Sequence, residues 1–415
     1  MARIVMKFGG TSVSNTDRIK NVACLVKAEV DLGNEVAVVV SAMSGTTDQL
    51  VVWTNAVAQM KGSSREYDVV VASGEQITVG LLALALQNLG VKAKSWLAWQ
   101  IPFYTDCVHG NARIVRIDTS IIRKDFGEGK VAVVAGFQGI APNKSITTLG
   151  RGGSDTSAVA LAVSLEADRC DIYTDVEGVY TTDPHFITKA RKIDFVAHEE
   201  MLELASQGAK VLHTRAVAVA ALHGLPIQVL SSLDKKPGTS IVEEGELVEK
   251  QVVTAIAYST DEAKVTLIGL TDCPGVVGTI FEALADADIN VDMIVQSVSQ
   301  SGNFVDLTFT VSSSNINLVC NVLNVLKKDL GYIDIVYNTM VCKISVVGVG
   351  MRSEPGVAKI MFRTLAECGI NIQLISTSEI RISVLISSGY LKLALQALHT
   401  AYGLDANCKF IKSNN

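Results

Sequence analysis

The sequence lacks the features that mark secreted, membrane-spanning or nucleic-acid-binding proteins. Its eight cysteines are scattered, with no CxxC pair and no cysteine–histidine cluster, which indicates reduced core thiols and argues against disulfides or a metal site. The net charge is −6 and no run of lysine or arginine is present, so neither nucleic acid nor an anionic membrane is expected as a partner. The first residues show no signal-peptide pattern, and we expect a cytoplasmic protein.

Long apolar runs are also missing. The most apolar one, residues 79–86, is far shorter than the roughly 20 residues of a membrane-spanning helix. Apolar residues make up 48% and charged residues 19% of the chain, which is a globular composition rather than a disordered one. A length of 415 residues exceeds what one core normally holds, so two or three domains are expected.

Up to about residue 230, apolar strand-like stretches alternate with amphipathic helical patterns. The strand candidates are 35–43, 130–140, 170–176 and 226–232, and the helix candidates include 16–33 and 199–224. Strands that are apolar on both faces and alternate with helices predict an α/β domain with a mostly parallel sheet between helices. In such sheets ligands bind beyond the carboxyl ends of the strands, where the glycine-rich segments fall.

A charged segment with a Pro-Gly turn, residues 233–250, predicts a domain boundary. An internal repeat follows, because the 24-residue segments that begin at Pro274 and Pro355 are identical at 10 positions. Each copy has the pattern of a βαββαβ, ferredoxin-like unit. The copies could be domains without a ligand, or the Pro-Gly turn could open an anion site at a helix start.

The segment KFGGTSV, residues 7–13, is suited to phosphate chemistry. It is neither a Walker A loop nor a GxGxxG motif, because its lysine precedes the glycines. Glycines let the backbone approach a phosphate closely, and Lys7 supplies a positive charge for a group in transfer. A Gly-Gly turn after a strand is also common without any ligand.

A second glycine-rich segment, residues 148–162 (TLGRGGSDTSAVALA), leads into a predicted helix. In one interpretation Asp155 simply caps this helix. In the other, backbone amides and the Arg151 guanidinium hold a carboxylate or phosphate at the positive helix end.

Three further sites carry polar residues near predicted strand ends or helix starts. Residues 173–184 offer Asp175 and Tyr180 to a nucleotide, and the segment QGAKVLHTR contains Lys210. Glu75 lies near a predicted helix start and is a candidate for binding an ammonium group. Alternatively, residues 173–184 form an ordinary surface loop, Lys210 is a solvated surface lysine, and Glu75 only favours the helix dipole.

Taken in order, KFGGTS, VVSAMSGTTDQL, SGEQI, GRGGSDTSAVALA, YTDVEGVYTTDP and GAKVLH resemble the motifs of the aspartate kinases. The tandem repeat resembles their paired ACT domains, so the resemblance covers nearly the whole chain. It implies an α/β amino-acid-kinase domain over 1–245 and two α+β ferredoxin-like ACT domains at 262–340 and 341–415, the second completed by a strand at 251–259.

The resemblance also implies a reaction. The γ-phosphoryl group of ATP would pass to the β-carboxylate of L-aspartate, giving 4-phospho-L-aspartate and ADP, with Mg²⁺ bridging the ATP phosphates. This is the first step toward lysine (through diaminopimelate), threonine, methionine and isoleucine.

The resemblance further assigns roles to the residues that match its motifs. Catalysis is implied for Lys7, Asp155 and Lys210. ATP binding is implied for Lys7, Gly9, Gly10, Ser12, Thr174, Asp175, Tyr180, Asp183, Lys210 and Val211. Aspartate binding is implied for Ser41, Thr47, Glu75, Arg151, Gly152 and Ser154. Effector binding is implied for Asp272, Gly275, Val276, Asn290, Gln296, Asn371 and Ile372.

Two residues depart from the usual family pattern. Thr214 stands where the family has the proline of GAKVLHP, and His185 stands where it has the arginine of DPR. An uncharged imidazole lacks the guanidinium fork, so His185 puts one phosphate contact in doubt.

Feedback inhibition by lysine, threonine or both is implied as well, together with a homo-oligomer paired through ACT domains. A hetero-oligomer with a separate ACT subunit is the alternative. That subunit would need a non-AUG start, for instance at Val248, because no methionine lies between Met201 and Met293.

Two other functions are open on the residues alone. One is another amino-acid kinase, acting on glutamate, acetylglutamate or a nucleoside monophosphate, which KFGGTS with paired ACT domains argues against. The other is a non-catalytic amino-acid sensor, which the joint presence of Lys7, Asp155 and Lys210 argues against.

Overall fold

The computed structural model describes residues 1–58, 64–209, 211–234, 236–246, 252–298 and 304–405. The chain divides into two compact units. The first unit contains Met1–Tyr180, Lys192–Ser206 and Lys210–Glu249, and the second contains Thr181–Arg191, Gln207–Ala209 and Lys250–Asn415.

The first unit is built on an eight-stranded sheet and also contains a four-stranded one. Its strands are β1 (Arg3–Phe8), β2 (Glu35–Val40), β3 (Ala93–Trp96), β4 (Phe103–Thr105), β5 (Ile114–Ile117), β6 (Val131–Ala135), β7 (Gln138–Ile140), β8 (Ile146–Thr148), β9 (Arg169–Thr174), β10 (Phe195–Ala197), β11 (Ile227–Ser231) and β12 (Thr239–Val242). The large sheet has the order β10-β12-β11-β9-β1-β2-β6-β3, and the small sheet has the order β5-β4-β7-β8. In the large sheet every pairing except β11 with β12 is parallel.

The first unit has eight α-helices among its described residues. They are α1 (Thr16–Asp31), α2 (Thr46–Val57), α3 (Arg65–Val71), α4 (Ser73–Asn88), α5 (Ser120–Gly127), α6 (Gly153–Leu165), α7 (His198–Ser206) and α8 (Thr214–His223). Of these, α1, α4, α5, α6 and α7 pack on strands of the large sheet. The apolar stripe of α1, which includes Ile19 and Val26, packs in one core with Ile4, Met6 and Phe8 of β1. The predicted α/β fold with a mostly parallel sheet is thereby confirmed.

The amphipathic pattern over residues 199–224 forms two helices, not the single one that was predicted. α7 ends at Ser206 and α8 begins at Thr214. Between them Gly208 has a φ of +110°, which a right-handed helix cannot contain and which residues other than glycine rarely adopt.

Helices α3 and α4 together form a stretch, Arg65–Asn88, that is long and apolar enough to cross a membrane by length and composition alone. Half of its most apolar window is buried inside the protein. Val79, Leu82 and Leu86 of α4 belong to the core beneath the large sheet, so α4 is a core helix.

The second unit has a six-stranded sheet of order β14-β15-β13-β16-β18-β17. Its strands are β13 (Ala255–Thr271), β14 (Val291–Val298), β15 (Phe304–Val311), β16 (Asp334–Val347), β17 (Ile372–Thr377) and β18 (Arg381–Ser387). Its helices are α9 (Val276–Asp286), α10 (Ile316–Leu330), α11 (Val357–Glu367) and α12 (Leu391–Ala401).

The long strands β13 and β16 serve both repeats. Residues 263–271 of β13 pair with β15, whereas residues 255–259 pair with residues 343–347 of β16. The first repeat takes its first strand from β13 and its fourth from β16. The second repeat takes its first strand from β16 and its fourth from β13. The final strand predicted for the second repeat would follow α12, and it lies outside the described residues.

The compact units differ from the predicted domain limits at two internal segments. Thr181–Arg191 and Gln207–Ala209 belong to the second unit, although the predicted catalytic domain spans 1–245. Oγ1 of Thr181 lies 2.9 Å from Nε2 of His399, and both side chains are buried. This bond joins the first segment to α12.

Candidate active site

The carboxyl ends of β1, β2, β6 and β9 meet at one edge of the large sheet, because these strands are parallel neighbours. The segments that begin at Gly9, Ser41, Gly136 and Asp175 leave the sheet there. This is the edge at which open α/β sheets bind their ligands.

Lys7 and Asp155 form a buried ion pair at this edge. Nζ of Lys7 lies 2.5 Å from Oδ1 of Asp155, and each residue is only 9% exposed. Apart from this pair, Oδ1 has no hydrogen-bond partner among the described residues. The N-cap of α6 is Gly152, without a side-chain cap. Asp155 therefore faces Lys7 instead of capping its helix.

The turn after β1 leaves little room for a side chain at either of its glycines. A Cβ on Gly9 would lie 3.3 Å from Nζ of Lys7, and one on Gly10 would lie 3.0 Å from the carbonyl oxygen of Ala42. The buried hydroxyl of Ser12 donates to Oγ of Ser232 at 2.9 Å. A phosphate at this turn would consequently meet backbone and Lys7, while the Ser12 hydroxyl is already bonded.

The glycine-rich loop before α6 is closely packed on one side and open on the other. Gly152 has a φ of +68°, and a Cβ there would lie 2.2 Å from the ring of His213. Ser154 is buried against Gly136, where a Cβ would lie 2.8 Å from the Ser154 hydroxyl. The Arg151 side chain is exposed and is therefore free to meet a ligand.

Glu75 lies in the first turn of α4 and is 3% exposed. Its Oε1 accepts a hydrogen bond from the backbone nitrogen of Ala42 at 3.0 Å. Its Oε2 is buried without a partner among residues that the structure describes. Burial raises the pKa of Glu75 to about 7, against the opposing effect of backbone hydrogen bonds. A buried carboxylate oxygen that lacks a donor is suited to an ammonium group.

We expect Glu75→Gln to stabilise the ligand-free protein increasingly as the pH rises. The carboxyl pKa is about 7 in the folded protein against 4.5 for an ordinary glutamate. The folded state therefore holds a proton that the unfolded state has lost, and wild-type stability falls across this interval. Glutamine does not titrate, so the difference in free energy of unfolding between the two proteins should grow by up to about 3 kcal/mol.

Urea denaturation of both full-length proteins at about pH 5 and about pH 8 measures this change. Shifts of other groups cancel in the difference, since both proteins share them. A difference in stability that stays the same at both pH values would contradict the raised pKa.

Ser41 and Thr47 are half-buried at the same edge. The backbone nitrogen of Ser41 donates to the carbonyl oxygen of Phe8 at 3.1 Å, which holds the ends of β1 and β2 together. Thr47 lies in the first turn of α2, which follows Gly45 in the left-handed conformation.

The segment predicted to bind the nucleotide is divided between the two units. Thr174 ends β9 and donates to Oδ1 of Asp175 at 3.1 Å, and Tyr180 is the last residue of this part of the first unit. Asp183 belongs to the second unit, where its Oδ2 accepts a hydrogen bond from the Tyr258 hydroxyl at 2.8 Å. The structure thus brings three of these four residues into the first unit.

The segment with Lys210 is described only in part. Lys210 itself lies outside the described residues, while Val211 is half-buried in the connection between α7 and α8. Thr214 is the first residue of α8. The first helical position accepts proline and many other residues, so a threonine in place of the family's proline is compatible with this helix. His185 is exposed and belongs to the second unit.

Three residues near the site were not singled out from the sequence. Gly136 makes room for Ser154, and His213 packs on Gly152. Burial lowers the pKa of His213, and the nearby Asp155 opposes this effect. Arg215 donates to the carbonyl oxygen of Leu149 at 2.7 Å. His213 and Arg215 lie within the segment QGAKVLHTR that carries Lys210, and this proximity in sequence was the signal that could have pointed to them.

Five of the residues predicted to bind an effector lie at or near the two ends of β14, whereas Asn371 and Ile372 lie at the start of β17. Asp272, Gly275 and Val276 follow β13 at the end of the sheet where β14 finishes, and Gln296 is near them in register. Asn290 precedes β14 at the opposite end, as Asn371 precedes β17 in the second repeat. One chain therefore does not bring all of these residues together.

Known protein families match both units. Residues 2–231 match the amino acid kinase family, and residues 265–325 and 344–402 match the ACT domain. Over 408 residues the chain is 50% identical to an aspartate kinase of Pseudomonas fluorescens, which covers 98% of each chain. The chain belongs to the aspartate kinases.

Solved structures of this family agree. The chain resembles Escherichia coli aspartokinase III in complex with aspartate and ADP, with a TM-score of 0.81 and 26% identity over 96% of this chain and 99% of that one. The complex of the same enzyme with lysine and aspartate gives a TM-score of 0.74 and 26% identity over 96% and 98%. The predicted family is thus confirmed: this kinase is an ATP-dependent phosphotransferase of amino-acid biosynthesis with ACT domains that support allosteric regulation.

Proposed function

We propose that this aspartate kinase transfers the γ-phosphoryl group of ATP to the β-carboxylate of L-aspartate at the carboxyl edge of the large sheet. The observation that carries the proposal is the ion pair of 2.5 Å between Lys7 and Asp155. Lys210 is the third catalytic residue in this proposal. Both lysines would neutralise the charge of the group in transfer, and Asp155 would orient them.

The nucleophile needs no general base, since a β-carboxylate with an ordinary pKa near 4 is already ionised at neutral pH. A carboxylate oxygen forms a bond to the γ-phosphorus while the bond from phosphorus to the bridging oxygen breaks. The electron pair of that bond leaves with ADP. Catalysis is then positioning together with charge neutralisation.

ATP would lie over the turn after β1 and beside the end of β9. Gly9, Gly10 and Lys7 would meet the phosphates, with Ser12 acting through its backbone. The remaining nucleotide contacts are proposed for Thr174, Asp175, Tyr180, Asp183 and Val211. Mg²⁺ would bridge phosphate oxygens and supply further positive charge. Among the described residues there is no group of three or more His, Cys, Asp or Glu that could hold a metal ion.

Aspartate would bind between the ends of β2 and α6. The fork of Arg151 would take a carboxylate of the substrate, and Glu75 would take its ammonium group through the unpartnered Oε2. Ser41, Thr47, Gly152 and Ser154 would complete this site.

ADP formation in the presence of ATP and Mg²⁺, measured for a panel of acceptors, tests the function. The panel is L-aspartate, L-glutamate, N-acetyl-L-glutamate and UMP, and aspartate alone should support turnover. An acyl phosphate product should also be trapped by hydroxylamine. ADP formation with another acceptor but not aspartate would favour a different amino-acid kinase, and none with any acceptor would favour a sensor.

For regulation we propose ACT domains at 262–340 and 341–415, the second completed by the strand proposed at 251–259, following a catalytic domain at 1–245. Because Asn290 lies far from Asp272 within one chain, a site that contains both residues requires two chains. A homo-oligomer in which ACT domains pair would form it, and a separate ACT subunit is the alternative. We also propose that the enzyme is cytoplasmic.

We expect lysine, threonine or both to inhibit the aspartate-dependent reaction. The basis is the pair of ACT domains together with the lysine complex of the related enzyme. Initial rates measured with each amino acid at millimolar concentration test this, with alanine as the control. Activity that is insensitive to all of them would leave the ACT domains a purely structural role.

A further inference from the structure

The glycine-rich loop that carries Arg151 packs against a second loop, residues 109–113. The backbone nitrogen of Ala112 donates to the carbonyl oxygen of Thr148 at 2.9 Å. Gly150 is left-handed, and a Cβ there would lie 3.0 Å from Oδ1 of Asn111. The two loops are therefore in direct contact immediately before Arg151.

Asp68 of α3 joins these two loops. Its side chain is fully buried and accepts from both. Oδ2 accepts from Nδ1 of His109 at 2.7 Å, and both oxygens accept from the backbone nitrogen of Gly110 at 3.1 and 3.2 Å. Oδ1 also accepts from the hydroxyl of Thr148 at 2.5 Å. One carboxylate thus ties the second loop to the residue that starts the glycine-rich loop.

Arg215 of α8 completes the support from another side. It donates to the carbonyl oxygen of Leu149 at 2.7 Å and to that of Ala112 at 2.9 Å. The loop is held at two successive residues, Thr148 and Leu149, while the Arg151 side chain stays exposed. Such an arrangement restrains the backbone that aims Arg151 without occupying its guanidinium.

We propose that Asp68 is a positioning residue for aspartate binding, acting through Thr148 and the 109–113 loop on Arg151. The inference rests on the proposed role of Arg151. Because the Asp68 carboxylate is buried, water cannot take its place when it is removed. Its three donors are then left unsatisfied, and the loop can shift. Displacement of a substrate-binding group by about 1 Å weakens binding and turnover strongly. The donors to Asp68 are His109, Gly110 and Thr148, which belong to neither the turn after β1 nor the end of β9, so ATP binding should change little.

Asp68→Asn tests the proposal, because an amide keeps the shape but has a single acceptor oxygen for the donors. We expect the KM for aspartate to rise about 10-fold and the KM for ATP to change less than about 2-fold. The matched control is Asp125→Asn. Asp125 is also a buried carboxylate of the first unit, 5% exposed, but it accepts from the indole of Trp96 at 2.8 Å. That variant should lower the unfolding temperature without a selective change in either KM.

Thr148→Val is the second variant, in case Asp68→Asn does not fold. It removes only the hydroxyl that donates to Asp68, and the KM for aspartate should rise about 3-fold with the KM for ATP unchanged. Equal changes in both KM values, or an unchanged KM for aspartate in folded variants, would overturn the positioning role. If wild type turns over aspartate and Arg151→Ala is selective while Asp68→Asn is not, only this inference fails. If wild type does not use aspartate, the proposed function itself fails.

Discussion

Lys7→Ala should abolish phosphoryl transfer while the protein remains folded. The variant removes the ammonium group that lies 2.5 Å from Asp155, so the group in transfer loses one fixed positive charge. Loss of one such interaction in a site that excludes water reduces kcat by about 10³-fold or more. The Asp155 carboxylate left behind would lose its ion-pair partner, so the free energy of unfolding should fall, and the fold is checked alongside turnover.

Steady-state turnover with saturating aspartate and ATP measures the loss, and circular dichroism with gel filtration checks the fold. Lys20→Ala is the matched control. Lys20 lies on α1 in an exposed pair with Asp17, and such pairs contribute little to stability. Near-normal turnover of purified Lys7→Ala would show that the turn after β1 does not hold the phosphoryl group in transfer.

Arg151→Ala should raise the KM for aspartate about 100-fold and the KM for ATP less than about 3-fold. A fork of two charge-assisted hydrogen bonds to a carboxylate is worth about 2–3 kcal/mol, which corresponds to this factor. The exposed side chain at the tip of its loop supports no part of the core, so stability should be unchanged. Arg151→Lys keeps the charge but not the fork and should give an intermediate KM for aspartate.

Both KM values, measured with the other substrate saturating, test this prediction. Arg123→Ala is the control, since Arg123 contacts the carbonyl oxygen of Ser164 and the carboxylate of Glu166 at the far end of α6. Its removal should change neither KM. Equal increases in both KM values for Arg151→Ala would remove Arg151 from the aspartate site.

Much of the fold followed from local patterns in the sequence. The strands β2 and β6 beside the site were predicted because buried parallel strands are apolar on both faces, as these two are. The repeat predicted the two ferredoxin-like halves. The division of residues 199–224 into α7 and α8 was missed, because a single glycine is tolerated within an amphipathic helical pattern. The sequence does not reveal that Gly208 has a φ of +110°.

The sequence by itself determined the family and the residue types of the site, since glycines and charged residues at strand ends recur in a recognisable order. Only the tertiary structure decided which of them meet. The sequence also allowed Asp155 to cap α6, but the packing of α6 against β1 places its carboxylate on Lys7. Glu75 acquires its raised pKa from burial, which no spacing predicts. Asp68 belongs to no motif, and its importance comes from donors that lie far away in sequence and converge on one buried carboxylate.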